Sequence, residues 1–127
     1  MKLLPWIAVG GAVGAMARFG VSVVAVQLMG PRLPWGTLVV NVLGSFLLGA
    51  LLAWSDRTEL LDARLQSMLS TGAMGAFTTF STFSVQTVRL LEGDEPWWAV
   101  ANVVGNVGLS LLGAAAGIAI VRYVHGS

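Results

Sequence analysis

The amino-acid sequence predicts an all-α membrane protein in which a single domain, 1–127, crosses the bilayer as four transmembrane helices. Three observations predict this. Only 10% of the residues are charged, against about a quarter in an ordinary soluble domain. Those few charges leave three long stretches bare: 20 residues from Trp35 to Trp54, 24 from Leu65 to Val88 and 25 from Trp97 to Val121. Each is long enough to span a hydrocarbon core of about 30 Å at about 1.5 Å per helical residue. The five tryptophans, Trp6, Trp35, Trp54, Trp97 and Trp98, all fall at the edge of a predicted span, where an interfacial aromatic belt places them.

The first span runs over about 4–29 and is interrupted by one charge, Arg18. Its start, Lys2 before an apolar run, resembles a signal peptide, but the run continues to Met29 and is rich in packing glycines, so a retained span is expected. The second span covers about 35–54, the third about 65–88 and the fourth about 97–121. Short loops at 30–34, 55–64 and 89–96 join them. Glycine recurs at small-residue spacings: Gly10 and Gly14, Gly44 and Gly49, Gly72 and Gly75, Gly105 and Gly108, and Gly113 and Gly117. In lipid, such residues let helix backbones approach closely. The stretch Gly10 to Gly14 lacks the spacing of a phosphate loop and lies within a span.

Four crossings put both termini and the 55–64 loop on one side with Lys2, Arg57, Arg64 and Arg122; the other side has Arg32 and Arg89. Two readings of this small bias stand: ordinary topology with cytoplasmic termini, or insertion both ways round and pairing with an inverted copy. Four helices are too few to surround a polar pathway alone, so a polar interior implies an oligomer, most simply a dimer.

Composition excludes several classes of function. A net charge of +1 suggests no nucleic-acid partner. The absence of cysteine removes disulfides, thiolate metal sites and a cysteine nucleophile. All six acids (Asp56, Glu59, Asp62, Glu92, Asp94 and Glu95) lie outside the spans, and the single histidine, His125, is near the C-terminus. No catalytic pair or triad can be assembled, so an enzyme is not expected. A proton-coupled antiporter of the small multidrug type needs a membrane carboxylate, and none is present. A non-transporting assembly subunit is the other rival. What remains at membrane depth is hydroxyls, amides, aromatic rings, backbone groups and Arg18, a donor-rich set that suits an anion.

The third span carries the densest signal. Thr78-Thr79-Phe80-Ser81-Thr82-Phe83-Ser84 places five hydroxyls in seven residues, just after Gly72 and Gly75. These residues are weak helix formers that compete for backbone hydrogen bonds. The helix either breaks between Gly75 and Thr79, freeing carbonyls for something small and positive, or stays whole with its hydroxyls bonding backwards. Phe80 and Phe83 share a helix face. Thr37, Asn41 and Ser45 form a polar stripe at i, i+4, i+8 on the second span, and Asn102, Asn106 and Ser110 form another on the fourth. Such stripes either glue helices together or line a path. Arg18 either snorkels to an interface or lines an electropositive vestibule.

These segments resemble the small fluoride channel family (Fluc, also called CrcB). The resemblance rests on Gly10-Gly11-Ala-Val-Gly14-Ala-Met-Ala-Arg18, on Trp35-Gly36-Thr37 through Asn41 and Gly44 to Gly49, and on Gly72-Ala-Met-Gly75-Ala-Phe-Thr78-Thr79-Phe80-Ser81-Thr82-Phe83. It implies a multi-pass channel of the cell membrane (inner or plasma membrane) that exports fluoride passively. It implies an antiparallel dual-topology homodimer with two pores and a third helix broken near its centre. By match, Phe80 and Phe83 would present ring edges to fluoride, with Asn41 as the pore asparagine. Ser81, Thr82 and Ser110 would continue the polar track, with Thr37 and Asn106 beside it. The backbone carbonyls of Gly75 and Thr78 would hold a structural sodium ion at the dimer interface. Many relatives carry a tyrosine near the position of Asn102, which leaves the roles of Asn102 and Asn106 open.

Overall fold

The computed structural model describes residues 1–126 and is all-helical. Helix α1 spans Leu4–Met29. Pro5 sits in its first turn, where a missing N–H is harmless, and it stops at Gly30, whose φ of 84° suits glycine. Helix α2 spans Trp35–Ser55. Helix α3 covers residues 63–77. Asp62 caps it by accepting from Leu65 N–H at 2.9 Å, and its middle, Met68–Met74, is widened into π-helical turns. Thr78 and Thr79 are extended, with φ/ψ of −84°/158° and −152°/119°. Helix α4, Phe80–Glu92, then restarts the span with Thr79 as its N-cap. Helix α5, Pro96–Val124, carries a second π-helical segment at Gly105–Leu109.

Helices α1, α2 and α5 are each long and apolar enough to cross a membrane. The third crossing is the pair α3 and α4. Its break falls within the expected Gly75-to-Thr79 window. The predicted 65–88 extends to Ala63 and Glu92, so the 89–96 loop shrinks to 93–95 and Glu92 ends a helix instead of lying in a loop. The loops 30–34 and 93–95 lie at one end, where Arg32 Nη2 meets Glu95 Oε1 at 2.8 Å.

Glycine sets two backbone-to-backbone crossings. A Cβ on Gly10 or Gly14 would run into the Met68 or Ala73 carbonyl, and one on Gly72 would sit 2.7 Å from the Ile7 carbonyl. These residues weld α1 to α3. Gly117 abuts the Phe46 carbonyl, and a Cβ on Gly49 would lie 2.6 Å from the Ala114 carbonyl, which welds α2 to α5. Gly44 is pressed against the Thr78 methyl at the break. Gly75, Gly105 and Gly108 close no tight crossing among the described residues. Most large apolar side chains face outward, as expected for surfaces bathed in lipid; Val40 is the one large side chain that is fully buried among the described residues.

Because backbone cannot yield as a side chain end can, Gly10→Ala or Gly14→Ala is expected to destabilise the protein by about 1–3 kcal/mol. Gly11→Ala, whose Cβ would stand 4.0 Å from the nearest such atom, is expected to be neutral. Thermal unfolding of the three variants in detergent checks this.

Candidate functional site

The break in the third span needs partners for the backbone groups it frees, because lipid supplies none. Asn41, from the middle of α2, provides them. Its Oδ1 accepts from Thr79 N–H at 2.8 Å, and its Nδ2 donates to the Thr79 carbonyl at 3.1 Å. The second Nδ2 hydrogen goes to Asn106 Oδ1 at 2.9 Å. Both donors of the Asn41 amide are thus engaged by protein.

The break frees all four carbonyls from Gly75 to Thr78, because the N–H groups of Thr79 to Thr82 no longer return to them; two of those N–H groups are taken up elsewhere. In a continuous helix Thr79 N–H would return to the Gly75 carbonyl; here Asn41 takes it. Thr82 N–H would return to the Thr78 carbonyl; here Thr79 Oγ1 takes it at 3.3 Å. The carbonyls of Gly75 and Thr78 therefore lose their helical donors. They lie at the C-terminal end of α3, where the helix dipole is negative. Some hydroxyls do bond backwards, Thr78 to the Met74 carbonyl at 3.1 Å and Ser84 to the Phe80 carbonyl at 2.9 Å, but this coexists with the break.

A cavity of about 320 Å³ opens on one side of Thr79. Asn41, Thr78, Phe80, Phe83, Asn106 and Ser110 line it. The Phe80 and Phe83 rings are 5.5 Å apart and tilted by 58°. Phe83 is buried, whereas Phe80 is 77% exposed. The Ser110 hydroxyl is buried and has no hydrogen-bond partner among the described residues.

A second cavity, about 240 Å³, lies on the other side of Thr79 and is lined by Arg18, Ser22, Thr37 and Thr82. Ser22 and Thr37 also line a wider cavity of about 420 Å³ that reaches Arg32, Arg89 and Glu95 at the loop end. Gln86 lines this outer cavity, its Oε1 buried and unpartnered among the described residues. The two inner cavities hold a guanidinium, hydroxyls and amides but no carboxylate among their lining residues. The one carboxylate of the outer cavity is paired with Arg32.

The structure gathers Asn41, Phe80, Phe83, Asn106 and Ser110 around one cavity, and Arg18, Thr37 and Thr82 around the next. Ser81 lines neither; its hydroxyl stands 3.5 Å from Thr79 Oγ1. Ser22 and Gln86 were missed by the sequence reading, which placed Thr79 at the break but gave it no site role. Helical spacing carried a signal for both: Ser22 follows Arg18 by four residues, and Gln86 follows Thr82 by four. The buried polar residues among those described are Thr37, Thr79 and Asn106, and all three line these cavities.

Residues 5–118 match the family described as "CrcB-like protein, Camphor Resistance (CrcB)". The chain is 44% identical over 117 residues to a protein of Sorangium cellulosum, covering 92% of both chains. It is 48% identical over 119 residues to one of Syntrophotalea carbinolica, covering 94% of this chain and 97% of that one. It is 40% identical over 124 residues to one of Allorhizobium ampelinum, covering 98% and 99%. All three relatives bear the name "Fluoride-specific ion channel FluC". A family match across nearly all of the four crossings, together with identities well above those of chance likeness, establishes that the chain belongs to the CrcB-like family.

Proposed function

We propose that this protein is a channel that lets fluoride leave the cell passively, down its electrochemical gradient, through a track of hydroxyls, amides and ring edges. The observation that carries this reading is the Ser110 hydroxyl, buried and unpartnered in a cavity walled by Phe80 and Phe83. A donor left idle at such a place calls for an acceptor. Fluoride is a small, strongly hydrated acceptor, and staged replacement of its water by protein donors lowers the barrier to entry. The positive edges of the two phenyl rings favour an anion without a full charge in the membrane. The N-terminal end of α4 adds unpaired N–H groups and the positive end of a helix dipole beside the rings. Arg18 in the second cavity, and Arg89 in the outer one, where Glu95 is paired with Arg32, make the approach electropositive. A narrow bore excludes chloride by size.

The working unit in this reading is an antiparallel, dual-topology homodimer in the cell membrane with two pores. The exposure of Phe80 beside a buried Phe83 supports it, since a pore ring needs a second wall. The open space at Gly108 and the exposure of Gly75 support it too, since small residues facing outward fit a close partner helix. The Gly75 and Thr78 carbonyls, freed at the negative end of α3, suit a hard, oxygen-liking cation. A structural sodium ion shared between two copies would hold the two breaks together and add fixed positive charge at the centre.

Fluoride efflux from liposomes loaded with potassium fluoride, started with a potassium ionophore, tests the function. The wild-type protein is expected to release fluoride and to retain chloride; no fluoride release overturns the proposal. Phe80→Ile and Asn41→Asp are each expected to lower efflux at least about tenfold, about 1.4 kcal/mol of barrier. Undiminished efflux in both sinks the site assignment. Ser110→Ala removes one hydrogen bond to the ion and is expected to lower efflux about fivefold, near the 1 kcal/mol of a typical hydrogen bond.

Two further outcomes test the assembly. Replacing sodium by N-methylglucamine is expected to depress efflux reversibly, with recovery on adding sodium back. A single cysteine in the 55–64 loop is expected to react with impermeant maleimide from both faces of the cell membrane; labelling from one face alone would rule out dual topology.

A further inference from the structure

We infer that Thr87, Asn102 and Asn106 are positioning residues, which through one head-to-tail chain of hydrogen bonds set where the Phe80 and Phe83 rings stand. The inference rests on the proposed channel for its functional consequence, though the chain itself is a matter of geometry.

The chain begins at a backbone donor and ends at a backbone acceptor. Thr79 N–H donates to Asn41 Oδ1 at 2.8 Å, and Asn41 Nδ2 donates to Asn106 Oδ1 at 2.9 Å. Asn106 Nδ2 donates to Asn102 Oδ1 at 3.0 Å and to the Asn102 carbonyl at 2.9 Å. Asn102 Nδ2 donates to Thr87 Oγ1 at 2.9 Å, and Thr87 Oγ1 donates to the Phe83 carbonyl at 2.8 Å.

An amide side chain can in general be turned either way, but here it cannot. A backbone N–H only donates, so the first link orients Asn41. Asn41 then orients Asn106, which orients Asn102. The far end agrees, because the Phe83 carbonyl only accepts. Dipoles aligned in one direction polarise one another and strengthen the chain.

The chain leaves α4 at its N-cap, passes through α2 and α5, and returns to α4 one turn beyond Phe83. Within its own chain, helix α4 has little else to hold it. Of its 13 residues only Phe83 and Leu90 are buried. Its height and rotation, and with them the placement of the two rings, are therefore set by these polar ties more than by apolar packing. Asn106 is able to enter the chain because it lies in the π-helical segment of α5 and is 4% exposed.

Thr87 isolates the effect, because it lines neither of the two cavities beside Thr79 nor the outer one. Thr87→Val keeps the shape and removes the hydroxyl. It is expected to lower fluoride efflux about fivefold, the loss equivalent to one hydrogen bond. Thr87→Ser, which restores the donor, is expected to recover efflux. Asn102→Leu cuts the same chain, so the double variant with Thr87→Val is expected to lose little more than either single one. Multiplying losses, or failure of Thr87→Ser to restore efflux, would overturn the inference. A second readout stands apart from transport. In NMR spectra of the detergent-solubilised protein, Thr87→Val is expected to shift the side-chain amide signals of Asn106 and Asn41. Unmoved signals would refute the chain whether or not the protein conducts. Shifted signals in a protein without efflux would refute the proposed channel and leave the chain standing.

Discussion

A backbone N–H or carbonyl at membrane depth has no water to turn to, so an interrupted helix survives in a bilayer only where protein groups complete its hydrogen bonds. The pairing of the Asn41 amide with both backbone groups of Thr79 meets that demand. The organisation of the centre depends on it. It diverts the N–H that would have rejoined α3 to α4, and it lets the buried Thr79 serve as the cap of a new helix. It thereby leaves two opposite half-helix ends facing one another. One end presents carbonyls and the negative pole of a dipole; the other presents N–H groups and the positive pole. One interruption thus sets a pole that would suit a cation beside one that would suit an anion.

The glycine crossings make this interruption affordable in space. Where Gly10 and Gly14 meet the backbone of residues 68–73, and where Gly117 and Gly49 meet α2 and α5 in turn, the helices touch main chain to main chain. That proximity holds α1 against α3 and α2 against α5 as two rigid pairs. The polar stripe of α2 then faces that of α5, which allows Asn41 to reach Asn106. The widened segment of α3 lies at one of these crossings, and that of α5 ends at Leu109, ahead of the crossing at Ala114 to Gly117. The extra residue in a π-helical turn re-aims the side chains that follow it, and Asn106 is one of them.

Polar groups inside this protein are almost fully used, and the exceptions are informative. Asn41 and Asn106 spend every amide hydrogen on other protein atoms, so what they do is hold those atoms in place. Among the described residues, the Ser110 hydroxyl stands idle in a cavity beside Thr79, and the Gln86 carbonyl oxygen in the outer cavity at the loop end. An engaged framework with a few idle groups along its surface matches the needs of a conduit, which must bind well enough to admit an ion and weakly enough to release it.

Composition alone determined the four crossings, the short charged loops and the exclusion of acid-dependent chemistry, because hydrocarbon does not tolerate scattered charge and the few charged residues must gather at its edges. The glycine spacings likewise foretold where α1 and the last helix would pack closely. Local sequence left the fate of Thr78 to Ser84 open, since those hydroxyls can bond back to their own helix or yield to a break, and both patterns read alike along the chain. The deciding partner, Asn41, lies 38 residues away. The closing of its amide on Thr79, and the sharing of the rest through Asn106 and Asn102 to Thr87, exist only once four helices stand side by side. Tertiary structure alone settled that question, because a hydrogen bond between distant residues leaves no periodicity in the sequence that forms it.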